Sequence, residues 1–325
     1  MTQVNEVLLK SPNTTEIAPS DENDREVSLY VRAKFALVRF FLWGWACMFS
    51  LKGLYLLGRM FGTLEYLINF KRRARYRHAL MRVYPEKISG KRIRSITLSY
   101  FRRTRCDKLF YLVFDKLPRE KILHRIRFQG REYLDQALQR GNGVYLMISH
   151  NGSHHVLGQL MALMGYRVAG LRDRNEGAAR IYMQQKLAET FPQVAENLKI
   201  YFADSFPRLI YRHFQNNMIL GSALDIGRPR GVSLKTCPVR IFGEMREFLT
   251  GTLQIALRCR ASIGQLFIVS RPNFYFRMIV APLFIPDDAG EENLDTPERV
   301  AELMQRYADG IQSHVREFPD HLSRI

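Results

Sequence analysis

The sequence predicts an α/β domain, a mostly parallel sheet flanked by helices, preceded by an N-terminal hydrophobic membrane-anchor helix. Three observations predict it. Short apolar runs alternate with helical periodicity from residue 143 onward, a long apolar tract covers about Phe35 to Phe61, and the stretch between them is rich in Lys and Arg.

Residues 1–29 are dominated by Ser, Thr, Asn, Asp and Glu, the composition of a disordered arm. A secretory signal peptide starts basic and turns apolar at once, which this segment does not do. The tract FALVRFFLWGWACMFSLKGLYLLGRMF follows. It exceeds the roughly 20 apolar residues needed to span a bilayer, although Arg39, Lys52 and Arg59 interrupt it. Trp43, Trp45 and Tyr55 suit the interfacial zone, and long cationic side chains can snorkel toward it. Residues 30–70 are therefore expected to form a membrane-anchor region, either spanning or lying in the interface. KRRARYRH at 71–78 opens a region, 71–140, expected to be helical and amphipathic with a basic outer face.

The core is expected over 141–325. Strands are expected at 143–149, 166–171, 197–202, 218–226, 238–242, 262–269 and 274–284. Helices are expected near 154–165, 176–190, 207–215, 251–259 and 296–318.

Lys and Arg outnumber Asp and Glu by 49 to 31, a net charge of +18. A surplus that large repels itself unless something anionic is near: nucleic acid, an anionic membrane face or an acidic carrier protein. No nucleic-acid-binding motif is present, and the Trp-containing apolar tract argues against that partner. The four cysteines, Cys47, Cys106, Cys237 and Cys259, lack CxxC or His spacing, so they read as thiols of a reducing compartment and no metal site is expected.

Chemistry-bearing residues gather after two expected strands, where parallel sheets place their sites. One strand leads into Ser149-His150-Asn151-Gly152-Ser153-His154-His155, the other into Asp225-Ile226-Gly227-Arg228-Pro229-Arg230. A His on a Gly-containing loop at a helix start suits a general base, with helix N–H groups beside it for an oxyanion or phosphate. Ser153 lacks the Gly-x-Ser-x-Gly context of a nucleophile elbow. Arg228 and Arg230, just after Asp225, suit an anion.

From about 35 to 320 the chain resembles the bacterial lipid A late acyltransferases (lauroyl and myristoyl transferases), within the wider lysophospholipid acyltransferase superfamily. The blocks that carry the resemblance are LMISHNGSHHVLGQLMALMGYRVAGLRDRN, then LDIGRPRG, then VRIFGEMREFLTGTLQIALRCRASI. It implies a membrane-bound enzyme on the cytoplasmic face of a bacterial inner membrane. That enzyme would transfer an acyl chain from acyl carrier protein or acyl-CoA to a hydroxyl of a lipid A-type acceptor, with no cofactor. His150 falls on the family's catalytic base, with His155 and Asp225 completing the expected catalytic set. Asn151, Gly152, Ser153, Arg172, Gly227, Arg228, Arg230, Thr250 and Gly251 are the expected substrate-binding set.

The sequence departs from the family pattern in three places. His155 stands where the family has Glu or Asp, Gly264-Gln265 stands near the family's strand Pro, and FPDHLSRI stands where the family carries a Trp-containing stretch. With a neutral imidazole at 155, either Asp225, Asp173 or Glu176 supplies the orienting carboxylate, or the chain is a non-catalytic lipid- or carrier-binding scaffold.

Overall fold

The computed structural model describes residues 27–84, 88–172, 177–202, 207–225, 234–287 and 293–323. The expected arm at 1–29 lies almost wholly outside them. Helices α1 (Leu29–Ile68), α2 (Phe70–Val83), α3 (Gly90–Val113) and the short α4 (Arg119–Leu123) lead into the α/β domain. There follow β1 (Ile126–Gln129), α5 (Arg131–Gln139), β2 (Val144–Ile148), α6 (His154–Leu163), β3 (Val168–Arg172), α7 (Ala178–Thr190), α8 (Pro192–Asn197) and β4 (Leu198–Phe202). The chain continues through α9 (Pro207–Gln215), β5 (Ile219–Ala223), β6 (Thr236–Ile241), β7 (Glu244–Leu249), α10 (Gly251–Arg258), β8 (Ser262–Arg271), β9 (Tyr275–Phe284) and α11 (Pro297–Glu317).

The sheet runs β1-β9-β8-β2-β5-β3-β4, parallel throughout except for the antiparallel β8–β9 pair. Its central strands are buried on both faces, so they read as unbroken apolar runs. Along β2 the pleat sends Val144 and Leu146 into a core shared with α1, α3, α5, α6 and α7. Tyr145 and Met147 go into a second core shared with α2, α9, α10 and α11. The result is helix, sheet and helix in three layers.

Elements β1, β6, β7 and the short α8 differ from the sequence expectation, which had no strand at 244–249 and no helix at 192–197. The region 71–140 is not all helical, since β1 adds an edge strand paired with β9; its exposed Arg127 and Gln129 hide the strand signal. Residues 238–242 do not join the main sheet. They form β6, which pairs with β7 across a two-residue turn at Phe242-Gly243, both with positive φ (50° and 80°), the geometry that fits a tight hairpin. The departure at 264–265 has a packing partner: Gln265 is buried and donates to the Tyr307 carbonyl at 3.0 Å, and a Cβ at Gly310 would meet its side-chain oxygen at 1.9 Å.

Helix α1 is long and apolar enough to cross a membrane by length and composition. It nevertheless packs along α3, burying Leu42, Ala46, Leu54, Gly58, Gly62 and Tyr66, with a kink at Ser50 (φ 62°). At Gly62 a Cβ would lie 2.4 Å from Arg102 Cα, so the helices approach as only glycine permits. Arg39, expected to snorkel, is instead buried. Its guanidinium pairs with Asp115 and lies over the Tyr182 ring, tying α1 to the domain. Phe40, Phe41, Met48, Leu56, Met60, Leu64, Leu67 and Ile68 remain exposed on the other side.

Candidate active site

The register of two neighbouring strands builds the site. β2 and β5 are parallel and pair Ile148 with Ala223, so His150 and Asp225 each emerge two residues beyond that pair, side by side at the carboxyl ends. Asp225 Oδ1 lies 2.7 Å from His150 Nδ1, and its Oδ2 accepts from the His150 backbone N–H at 2.9 Å. The carboxylate is buried, at 5% exposure, while the imidazole keeps 20%. An ionised carboxylate can only accept, so Nδ1 carries the proton and Nε2 is left as the basic nitrogen. Tyr307 of α11 bridges both strand ends. Its hydroxyl donates to the Ile148 carbonyl at 2.7 Å and accepts from Leu224 N at 3.3 Å.

The loop after β2 is held from below. Gly152 has φ +70°, and a Cβ there would meet the Ile268 carbonyl oxygen at 2.3 Å, so the position needs glycine. Its N–H donates to the His321 carbonyl at 2.8 Å, and Asn151 Oδ1 accepts from Ser323 N at 3.0 Å. Ser153, expected to touch substrate, is fully buried. Its hydroxyl donates to Asp107 Oδ2 at 2.6 Å and lies 2.6 Å from Ser270 Oγ, so it braces the loop. Asn151 is likewise buried and committed to the support.

Beneath these, Arg103 binds Asp107, and His321 accepts from Ser270 N at 3.0 Å through Nε2 while its Nδ1 meets Asp320 at 2.8 Å. Burial alone would raise the Asp320 carboxyl, but the hydrogen bond from His321 Nδ1, the Arg103 charge and the Ser99 hydroxyl outweigh it and hold the group well below the usual range. Residues 318–323 thus supply the floor of the His150 loop.

Of the two following histidines, His154 is the one beside the base, its ring centroid 5.1 Å from that of His150. Its Nδ1 is buried without a partner among the described residues, and burial, with neighbouring positive charge, pushes its pKa down. His155 sets its ring edge against Tyr111 at 5.1 Å, and the carboxylate on His150 Nδ1 is Asp225. Desolvation, then the charges of Arg180, Arg103 and Lys108, push His155 down to about 3.

Burial likewise pushes His213 down to about 4 and His314 down to about 3. These imidazoles stay neutral in the fold, whereas the unfolded chain takes up their protons below an ordinary value of 6.5. Their contribution to stability is therefore full above that pH and is lost as pH falls toward about 4. The melting temperature is expected to drop steadily between pH 7 and pH 5 (approximate bounds set by the imidazole range); a flat profile there would mean the rings are charged in the fold.

The remaining expected residues are more scattered. Thr250 and Gly251 open α10, and neither hydrogen-bonds His150 or Asp225 among the described residues. That helix packs behind the site through Thr252, whose hydroxyl lies 2.7 Å from Tyr145 OH. Arg172 ends β3, its side chain outside the described part, as are Gly227, Arg228, Arg230, Asp173 and Glu176. Sequence reasoning missed Tyr307, Asp107, Ser270 and His321. Asp107 alone left a trace, as the one acidic residue of the arginine-rich α3.

A family model for bacterial lipid A biosynthesis acyltransferases matches residues 21–320. None of the curated proteins compared with the chain matches it. With a match over most of its length, the chain belongs to the bacterial lipid A biosynthesis acyltransferase family.

Proposed function

We propose that this protein is a membrane-bound O-acyltransferase. It takes a fatty-acyl group from an acyl thioester, on acyl carrier protein or coenzyme A, and places it on a hydroxyl of a lipid A-type acceptor. The observation that carries this reading is the His150–Asp225 pair at adjacent strand ends. His150 Nε2 removes the proton as the acceptor oxygen attacks the thioester carbonyl. The C–O bond forms, the tetrahedral intermediate collapses, the C–S bond breaks, and the leaving thiolate takes the proton back from the imidazolium. Asp225 keeps the ring in the right tautomer and stabilises that imidazolium. The His154 and His155 N–H groups at the start of α6 suit the developing oxyanion, that of Val156 being already bonded to the Ser153 carbonyl at 3.1 Å.

The exposed apolar side of α1 supports membrane attachment. A helix apolar on both sides needs a non-aqueous neighbour on each, and α3 covers just one. Its partner α3 carries Arg102, Arg103, Arg105 and Lys108 in its middle, which is incompatible with crossing hydrocarbon alongside it. We therefore place α1 in the interface, on the cytoplasmic face of the inner membrane, rather than across the bilayer.

Purified chain supplied with acyl carrier protein and coenzyme A thioesters and a lipid A-type acceptor tests the reading. Transfer by the native chain is expected, detected by mass spectrometry of the acceptor. Because Asp225 already orients His150, His155→Glu is expected to change the rate by less than about tenfold, far from the roughly 10⁴-fold penalty for losing an orienting carboxylate. Transfer absent from both the native chain and the Glu variant, across the donor panel, favours the binding-scaffold reading and defeats this one.

A further inference from the structure

The geometry points to a second ligand site, separate from His150: a pocket for the anionic phosphate headgroup of a membrane lipid, built by α2, α3 and the C-terminal segment. The half-open pocket has a volume of about 620 Å³ and is lined by Lys71, Arg72 and Arg75 with Asn69, Tyr100 and Ser323, and with no carboxylate among the described residues. Arg72 is fixed in place. One guanidinium nitrogen donates to Glu65 at 2.6 Å, the other to Tyr100 OH at 2.8 Å, and Asn69 Oδ1 accepts from its backbone N–H. Glu65 is shared with Arg105 at 2.6 Å, so its single charge serves two cations and leaves the pocket positive.

Lys71 and Arg75 are exposed, one turn apart, and neither has a carboxylate partner among the described residues. Like charges four apart weaken a helix, which an anion between them would reverse. A lipid phosphodiester with net negative charge and two free acceptor oxygens fits Lys and Arg donors beside the tyrosine rim.

The pocket's setting selects a lipid as the source. Leu64, Leu67, Ile68 and Phe70 stand exposed immediately before it, so an apolar edge adjoins a basic hollow at headgroup depth. Its wall also touches the catalytic loop, since Ser323 N donates to Asn151 Oδ1, next to His150. Headgroup binding thereby steadies the floor of that loop when the protein is on a membrane. The inference rests on the interfacial placement of α1 but not on acyl transfer.

Hydrogen exchange on the full chain in nanodiscs tests it. Moving from phosphatidylcholine to discs containing phosphatidylglycerol is expected to slow exchange across residues 69–79 and 319–323 by about tenfold. The protection should vanish in Lys71→Gln/Arg75→Gln and survive in Lys91→Gln/Arg94→Gln, which removes the same charge from an exposed part of α3 outside the pocket. His150→Ala should behave as the native chain does, so the result stands apart from catalysis. Unchanged exchange elsewhere in the pocket variant establishes that it is folded. Equal loss in both double variants would reduce the effect to diffuse surface charge and overturn the site, as would no protection at all. Protection by inorganic phosphate added to phosphatidylcholine discs, with none from phosphatidylglycerol, would overturn the headgroup in favour of a soluble phosphate.

Discussion

Asp225→Asn is expected to lower acyl transfer by about 10⁴-fold while the protein still melts cooperatively, the size of effect seen when a triad carboxylate loses its charge but keeps its shape. Asp225 accepts two hydrogen bonds, from His150 Nδ1–H and from the His150 backbone N–H. An amide has one acceptor oxygen, and the backbone N–H, fixed in position, claims it. The NH₂ group then faces Nδ1 and forces the other tautomer, with the proton on Nε2. In that state His150 cannot accept the proton of an acceptor hydroxyl, and no negative charge remains to stabilise an imidazolium. The loss should appear in kcat far more than in KM, since neither partner is needed to hold the acyl chain. A variant that keeps full turnover would remove Asp225 from the mechanism.

Breaking the Arg39–Asp115 pair is expected to destabilise the fold by about 3–5 kcal/mol, because each partner left alone becomes an uncompensated buried charge. Arg39 is 5% exposed and Asp115 1%, and Asp115 Oδ1 has no hydrogen-bond partner among the described residues, so Oδ2 alone holds the pair. An exposed pair would be worth at most about 1 kcal/mol, so the measurement separates burial from snorkelling decisively. Chemical denaturation of Arg39→Ala and Asp115→Ala in detergent reads the loss directly. Arg39→Met combined with Asp115→Leu should recover most of it, since apolar replacement of a whole buried pair is close to neutral. If Arg39→Ala unfolds at native denaturant concentration, α1 is not docked on the domain as described.

Most of the core was legible in the sequence for a physical reason. Central parallel strands are buried on both faces, so β2 and β8 announce themselves as apolar runs, and α9, α10 and α11 carry clear apolar stripes. The edges were harder. β7 exposes Glu244, Met245 and Glu247 and fully buries Phe248 alone, and β1 shows Arg127 and Gln129 to solvent, so neither carries a strong strand signal. His150 and Asp225 could each be picked out as residues following strands, yet their pairing stood as one of three alternatives beside Asp173 and Glu176. They lie 75 positions apart and meet because β2 and β5 are neighbours in a given register, a property of the sheet rather than of either segment. Ser153 misled for a related reason: its loop position suggests exposure, but Asp107 and Ser270 arrive from distant elements to bury it. Arg39 misled in the same way, because its partner Asp115 lies outside the apolar tract altogether.

The most direct test of the account is acyl transfer by purified His150→Ala beside the native chain, with thermal melting of both. His150 keeps a fifth of its side chain exposed, and Asp225 retains its bond from the backbone N–H at 150 when the ring is removed, so the variant should stay folded and melt some degrees below the native chain, the shift expected for a loss of about 1–3 kcal/mol. Its transfer to the lipid A-type acceptor should fall below detection. A variant that melts normally and still acylates the acceptor at the native rate would contradict His150 as the base, and with it the mechanism built on the His150–Asp225 pair.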